Sequence, residues 1–153
     1  MYQNRNEIRK ETRAFLVNTD LTDMVAVTLT MKQFIYPQNL DLIEASTNNR
    51  HFLNHLNRKV YKNTFKRFDK KLDVIPVLEY SHQDRLHTHL AIRNPYPDDT
   101  AKFTNLIKLC WGETRWGYSK TDIQYNANFG WINYITKLGP LDEVDWDNMH
   151  CVR

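Results

Sequence analysis

The chain is poor in the features that mark most specialised protein classes. Its 153 residues include only two cysteines, Cys110 and Cys151, without paired spacing, which argues against a disulfide framework and against a zinc knuckle. No apolar run approaches the ~18 residues that a membrane helix requires. The opening MYQNRNEIRKETR is too polar for a signal peptide. Internal repeats, low-complexity tracts and Gly/Ser/Pro linkers are also missing. What is present describes an ordinary globular protein: 41% hydrophobic, 25% charged and 12% aromatic residues, in a chain long enough to form one core of its own. A reducing, cytoplasmic or other cell-interior setting without membrane contact is the expectation.

Net charge is a modest +3, but its distribution is uneven. Residues 50–71 carry Arg50, Arg58, Lys59, Lys62, Lys66, Arg67, Lys70 and Lys71 against Asp69 alone, a local +7 that leaves −4 for the rest of the chain. Asp142, Glu143, Asp145 and Asp147 cluster near the C-terminus. A cationic side of this kind suits a polyanion, although a solvated helix face would look the same.

The β-branched run Met24–Thr30 reads as a strand, broken by Tyr36-Pro37-Gln38-Asn39. A helix is expected from Ser46 or Asn49 to Phe68, with Phe52, Leu53, Leu56 and Val60 as its apolar stripe. Leu72–Tyr80 and Leu86–Ile92 read as strands joined by the polar turn Ser81–Arg85, and Pro76 in the first hints at an edge position or bulge. Asp98 or Asp99 is a suitable N-cap for a helix with Phe103, Leu106, Ile107 and Cys110 on one face. Tyr118–Tyr125 predicts a further strand, and Asn128–Leu138 a last helix stopped by Gly139-Pro140. The order β-α-β-β-α-β-α predicts an α+β fold, an antiparallel sheet with helices packed on it in a ferredoxin-like or split βαβ arrangement. Residues 1–23 are expected to form an arm or short helix, 24–140 the domain, and 141–153 an acidic tail.

Two sets of residues carry chemistry. His87 and His89, one residue apart on a strand, project to the same face. If the strands on either side of Ser81–Arg85 pair as a hairpin, Glu79 falls opposite them. Two imidazoles and a carboxylate with open positions suit a divalent ion that also holds a phosphate oxygen. His82 and Asp84, in the turn, are substitutes. The second set is Tyr134 and Lys137, one helical turn apart. A phenol is a weak nucleophile until a cation or metal favours its phenolate, and Lys137 can supply that cation. Either set alone recurs by chance.

Taken in order, Val27-Thr28-Leu29-Thr30, His87-Thr88-His89 and Gly130-Trp131-Ile132-Asn133-Tyr134-Ile135-Thr136-Lys137 resemble the three motifs of the HUH-type rolling-circle replication initiators, the Rep endonucleases of small plasmids and viruses. The resemblance spans residues 24–139. It departs at Thr88, where the family usually has a bulky apolar residue. It implies an HUH nuclease fold and an ATP-independent DNA endonuclease and strand transferase. Tyr134 would then attack a phosphate of single-stranded DNA at an origin, with Lys137 beside it. Glu79, His87 and His89 would hold Mg²⁺ or Mn²⁺, and a helicase would be supplied in trans. Arg58, Lys62 and Lys66 would track phosphates, and Trp111, Trp116 or Tyr118 would stack on bases.

Two other readings remain open. A single-tyrosine HUH transposase shares the histidines and the tyrosine. A non-catalytic single-stranded nucleic-acid-binding module would use the histidines only structurally.

Overall fold

The computed structural model describes residues 7, 10, 14, 20, 22–81, 83–125, 130 and 143–151. The first strand, β1 (Met24–Met31), is followed by a two-rung hairpin, β2 (Phe34–Ile35) and β3 (Gln38–Asn39), where the sequence indicates only a break. Next come helices α1 (Leu42–Tyr61) and α2 (Asn63–Phe68), strands β4 (Val74–Tyr80) and β5 (Leu86–Arg93), helix α3 (Thr100–Gly112) and strand β6 (Gly117–Gln124). The two-residue β7 (Glu143–Val144) and a 3₁₀ turn at Trp146–Asn148 complete the described chain.

The main sheet has the order β6-β1-β5-β4-β7, and all its pairs are antiparallel. β5 lies between β1 and β4, so β1-α1-β4 is a split βαβ unit, the expected ferredoxin-like arrangement. One face of the sheet packs against the helices. Val25, Val27, Leu29 and Met31 of β1 and Leu86, Leu90 and Ile92 of β5 join Phe52, Leu53 and Leu56 of α1 and Phe103, Ile107 and Trp111 of α3 in one core. Period-two alternation sends the intervening residues, the histidines among them, to the opposite face.

Helix α1 begins earlier than its apolar stripe suggests. Asp41 caps it by accepting from the Glu44 N–H at 2.8 Å, and Asp41-Leu42-Ile43-Glu44 is the local signal for that start. The helix also stops sooner, at Tyr61, where Lys62 turns to φ 49°. The apolar stripe runs out at this point, and nothing in Lys62-Asn63-Thr64 holds a continuous helix against the sheet. Asn57, near its end, accepts from the Leu72 N–H at 2.8 Å, which fixes the return into β4. Helix α3 is capped by Asp99, whose carboxylate accepts from the Lys102 N–H at 3.1 Å.

Pro76 sits within β4 rather than on an outer strand. Its carbonyl accepts from the Asp145 N–H at 2.9 Å, so the position where its own N–H would be faces the β7 side. Pairing there is confined to Val77–Val144 and Leu78–Glu143, and the missing donor costs little. The acidic stretch therefore includes a short strand on the sheet, and Val74 and His150 form a further bridge. The expected last helix lies outside the described residues except for Gly130, which is helical.

Candidate metal centre on the sheet

The hairpin of β4 and β5 decides the geometry of the site. Its register sets Glu79 directly opposite His87 and Val77 opposite His89. The turn is closed by Ser81 N–H donating to the Arg85 carbonyl and Asp84 N–H donating to the Ser81 carbonyl, both at 2.9 Å. Asp84 takes a left-handed conformation at φ 55°, which aspartate tolerates better than most residues. His82 lies outside the described residues.

Glu79, His87 and His89 offer ligand atoms that all lie within 4.8 Å of one another. Nε2 of His87 and Nε2 of His89 are 3.1 Å apart. Oε2 of Glu79 is 2.7 Å from Nε2 of His89 and 4.0 Å from Nε2 of His87. Neighbouring ligands of an octahedral ion with bonds near 2.1 Å stand about 3 Å apart, so this donor set fits a small divalent cation. The imidazole planes are near-perpendicular, at 82°. His89 is buried, whereas His87 and Glu79 are partly open, leaving access from one side.

Each imidazole also has a contact on its other nitrogen. Nδ1 of His89 is 3.0 Å from Oγ1 of Thr28, its direct partner across β1 and β5. Nδ1 of His87 is 3.4 Å from the Arg85 carbonyl. When Nε2 serves as a ligand, Nδ1 carries the proton and can donate it to these oxygens, which fixes both tautomer and ring orientation. Thr28 lies in the first motif, but sequence alone assigns it no contact with a histidine 61 residues away.

Behind the site, Thr88 points to the helix-packed face and is fully buried. Its hydroxyl accepts from Nδ2 of Asn49 at 2.9 Å, and Asn49 also donates to Asp145 Oδ2 at 3.0 Å. Ser46 and Asn148 donate to the same carboxylate, each at 2.8 Å. The polar residue between the histidines is thus part of a buried hydrogen-bonded network.

The other candidate residues are placed differently. Arg58 lies in the last turn of α1, Lys62 at its break and Lys66 in α2, on the helical layer rather than on the histidine face. Trp111 and Trp116 are each 1% exposed, which corrects the expectation that they stack on bases. Trp111 packs edge-on against Phe52 at 5.4 Å and donates to the Thr30 carbonyl at 3.0 Å. Nε1 of Trp116 donates to Glu44 at 3.3 Å. Both rings serve the core because burial removes their large apolar area from water while each indole N–H keeps an acceptor. Tyr118 is exposed. Tyr134 and Lys137 lie outside the described residues.

A family model for replication-associated proteins of the ORF2 type matches residues 24–138. The chain belongs to this family. The match covers three quarters of the sequence and includes β1, the Glu79–His87–His89 centre and the stretch holding Tyr134 and Lys137. Membership of the replication-associated family points to a role in replication initiation with nucleic acid as partner. No curated protein and no solved structure matches the chain. Among the described residues, no helix is long and apolar enough to cross a membrane.

Proposed function

We propose that this replication-associated protein is an HUH-type endonuclease that nicks and rejoins single-stranded DNA at a replication origin, starting rolling-circle copying of a plasmid or virus. The observation that carries the reading is the convergence of Glu79, His87 and His89 on one sheet face, in a chain whose family match extends through Tyr134 and Lys137.

In the proposed reaction, Oη of Tyr134 attacks the phosphorus of the scissile phosphodiester. A tyrosine-oxygen–phosphorus bond forms and the bond to the 3′ oxygen breaks. The leaving oxygen takes up a proton to become a 3′-hydroxyl, and the 5′ phosphate remains esterified to the tyrosine. A later 3′-hydroxyl reverses the exchange, so no ATP is needed. Lys137 offsets charge on the phenolate and the phosphate. Mg²⁺ or Mn²⁺ held by Glu79, His87 and His89 would polarise the scissile phosphate and neutralise charge developing on it. Thr28 keeps His89 turned toward that position. A helicase acting in trans would open the duplex.

The test incubates the chain with assorted single-stranded oligonucleotides and Mn²⁺ and resolves the products on a denaturing gel. A covalent protein–DNA adduct is expected with the wild type and none with Tyr134→Phe. An adduct that persists in Tyr134→Phe removes the nucleophile assignment. Cleavage that survives EDTA removes the metal role.

A further inference from the structure

The connection between β1 and α1 displays aromatic rings on a backbone more firmly held than a linker requires. Phe34 is 55% exposed and Tyr36 is 85% exposed, with ring centroids 6.4 Å apart in an edge-on arrangement. Beneath them, Phe34 pairs with Asn39 and Ile35 with Gln38. The Leu40 N–H donates to the Gln33 carbonyl at 2.9 Å. The Arg115 guanidinium donates to Oε1 of Gln38 at 3.1 Å. Two large rings held together in solvent on a pinned backbone make a candidate interaction surface.

The residue before the hairpin is bonded to the strand that carries the histidines. Nε2 of Gln33 donates to the Leu86 carbonyl at 2.9 Å, and Oε1 of Gln33 accepts from the Leu86 N–H at 2.7 Å. Leu86 immediately precedes His87, and Thr30, opposite His87 across the sheet, lies four residues before Phe34. Lys32, Arg85 and Arg115 are exposed on these connected segments. Exposed rings and exposed cations on connected segments suit an anionic chain that carries flat bases, in keeping with the nucleic-acid partner to which the family match points.

We infer that Phe34 and Tyr36 form a base-stacking platform that seats single-stranded DNA beside the metal centre, with Lys32, Arg85 and Arg115 meeting its phosphates. The inference rests on the reading of the chain as acting on single-stranded DNA. Stacking of this kind tolerates any base, so it supplies grip and placement rather than sequence choice.

Fluorescence anisotropy in EDTA, where cleavage is suspended, tests it with the full chain. The probes are a labelled oligothymidylate of about 12 nucleotides and an abasic strand of equal length. The wild type is expected to prefer the base-bearing strand about tenfold or more. Phe34→Ala and Tyr36→Ala should each weaken oligothymidylate binding about tenfold, leave abasic binding unchanged, and be rescued by Phe34→Tyr and Tyr36→Trp. Tyr36→Ala removes a side chain almost wholly in solvent, so the core is untouched. A wild type indifferent to the bases, or alanine variants that bind like the wild type, overturns the inference. Ring-insensitive binding alongside a covalent adduct sinks the platform and leaves the nicking reading standing. Ring-dependent binding without an adduct does the reverse.

Discussion

Thr88 lies between His87 and His89 in sequence but on the opposite side of the sheet, where its Oγ1 accepts from Nδ2 of Asn49 at 2.9 Å. Through Asn49 the histidine strand is joined to Asp145, and Asp145 is held by Ser46 and Asn148. A bulky apolar residue at position 88 would leave the Asn49 amide short of an acceptor in a dry setting. Thr88→Val should therefore cost about 1–2 kcal/mol of stability. Asn49→Ala, which also strips a donor from a buried carboxylate and opens a cavity, should cost about 3 kcal/mol. Urea unfolding of both single variants and the double variant measures the pair. Costs that add without coupling would show that the bond contributes nothing.

The candidate metal centre makes a prediction that does not depend on DNA. Mn²⁺ bound only by the folded chain should raise its melting temperature in proportion to occupancy. His89→Ala, His87→Ala and Glu79→Gln should each abolish most of that shift. Differential scanning fluorimetry across a Mn²⁺ titration reads it, and a shift that persists in all three variants places the ion elsewhere.

Thr28 is expected to act through His89 rather than by contact with an ion. Thr28→Val keeps the shape of the side chain but removes the oxygen 3.0 Å from Nδ1. Mn²⁺ affinity should fall about tenfold, and Thr28→Ser should restore it. Calorimetric titration of the three proteins distinguishes this from a packing effect, which Ser would not repair.

Lys62 tests the backbone and the charge distribution together. Its φ of 49° is costly for a side chain bearing a Cβ, so Lys62→Gly should stabilise the protein by about 1 kcal/mol. Because the residue stands at the break in the helical layer, adduct formation at saturating DNA should be unchanged. Denaturant unfolding and the gel assay check the two halves separately.

Both thiols are expected to be inert. Burial, with Glu113 adding to it, pushes Cys110 up to about 11. Burial and Asp73 push Cys151 up to about 11. A raised thiol pKa keeps the neutral form as pH climbs, and only the thiolate alkylates. Iodoacetamide at pH 8 should label neither cysteine until denaturant is added. The unfolded thiols ionise first, near their ordinary value of 9.0. Stability from this source is therefore full below pH 9 and is lost as pH rises toward 11.

Some of this architecture is legible without coordinates, and the reason differs from residue to residue. His87 and His89 share a face in any strand because alternation is a property of the extended backbone. The apolar spacing of Phe103, Ile107 and Cys110 likewise requires one buried helical stripe. Trp111 and Trp116 show the limit: amphipathic rings suit a core and a stacking surface equally, and only the packing of α3 against α1 and β1 decides between them. Phe34 and Tyr36 were hidden for the complementary reason, since a two-rung hairpin leaves no periodicity to read.

Local sequence thus determined which residues could be ligands, which faces they take and where most elements begin. The observed hairpin sets Glu79 opposite His87, as the sequence anticipates, but tertiary structure alone decided that Thr28 reaches His89 across 61 residues and that Asn49 and Asp145 meet behind Thr88. Backbone periodicity acts over a few residues, whereas these contacts depend on strand register and on which strand lies beside which. Burial of the whole apolar face sets both at once.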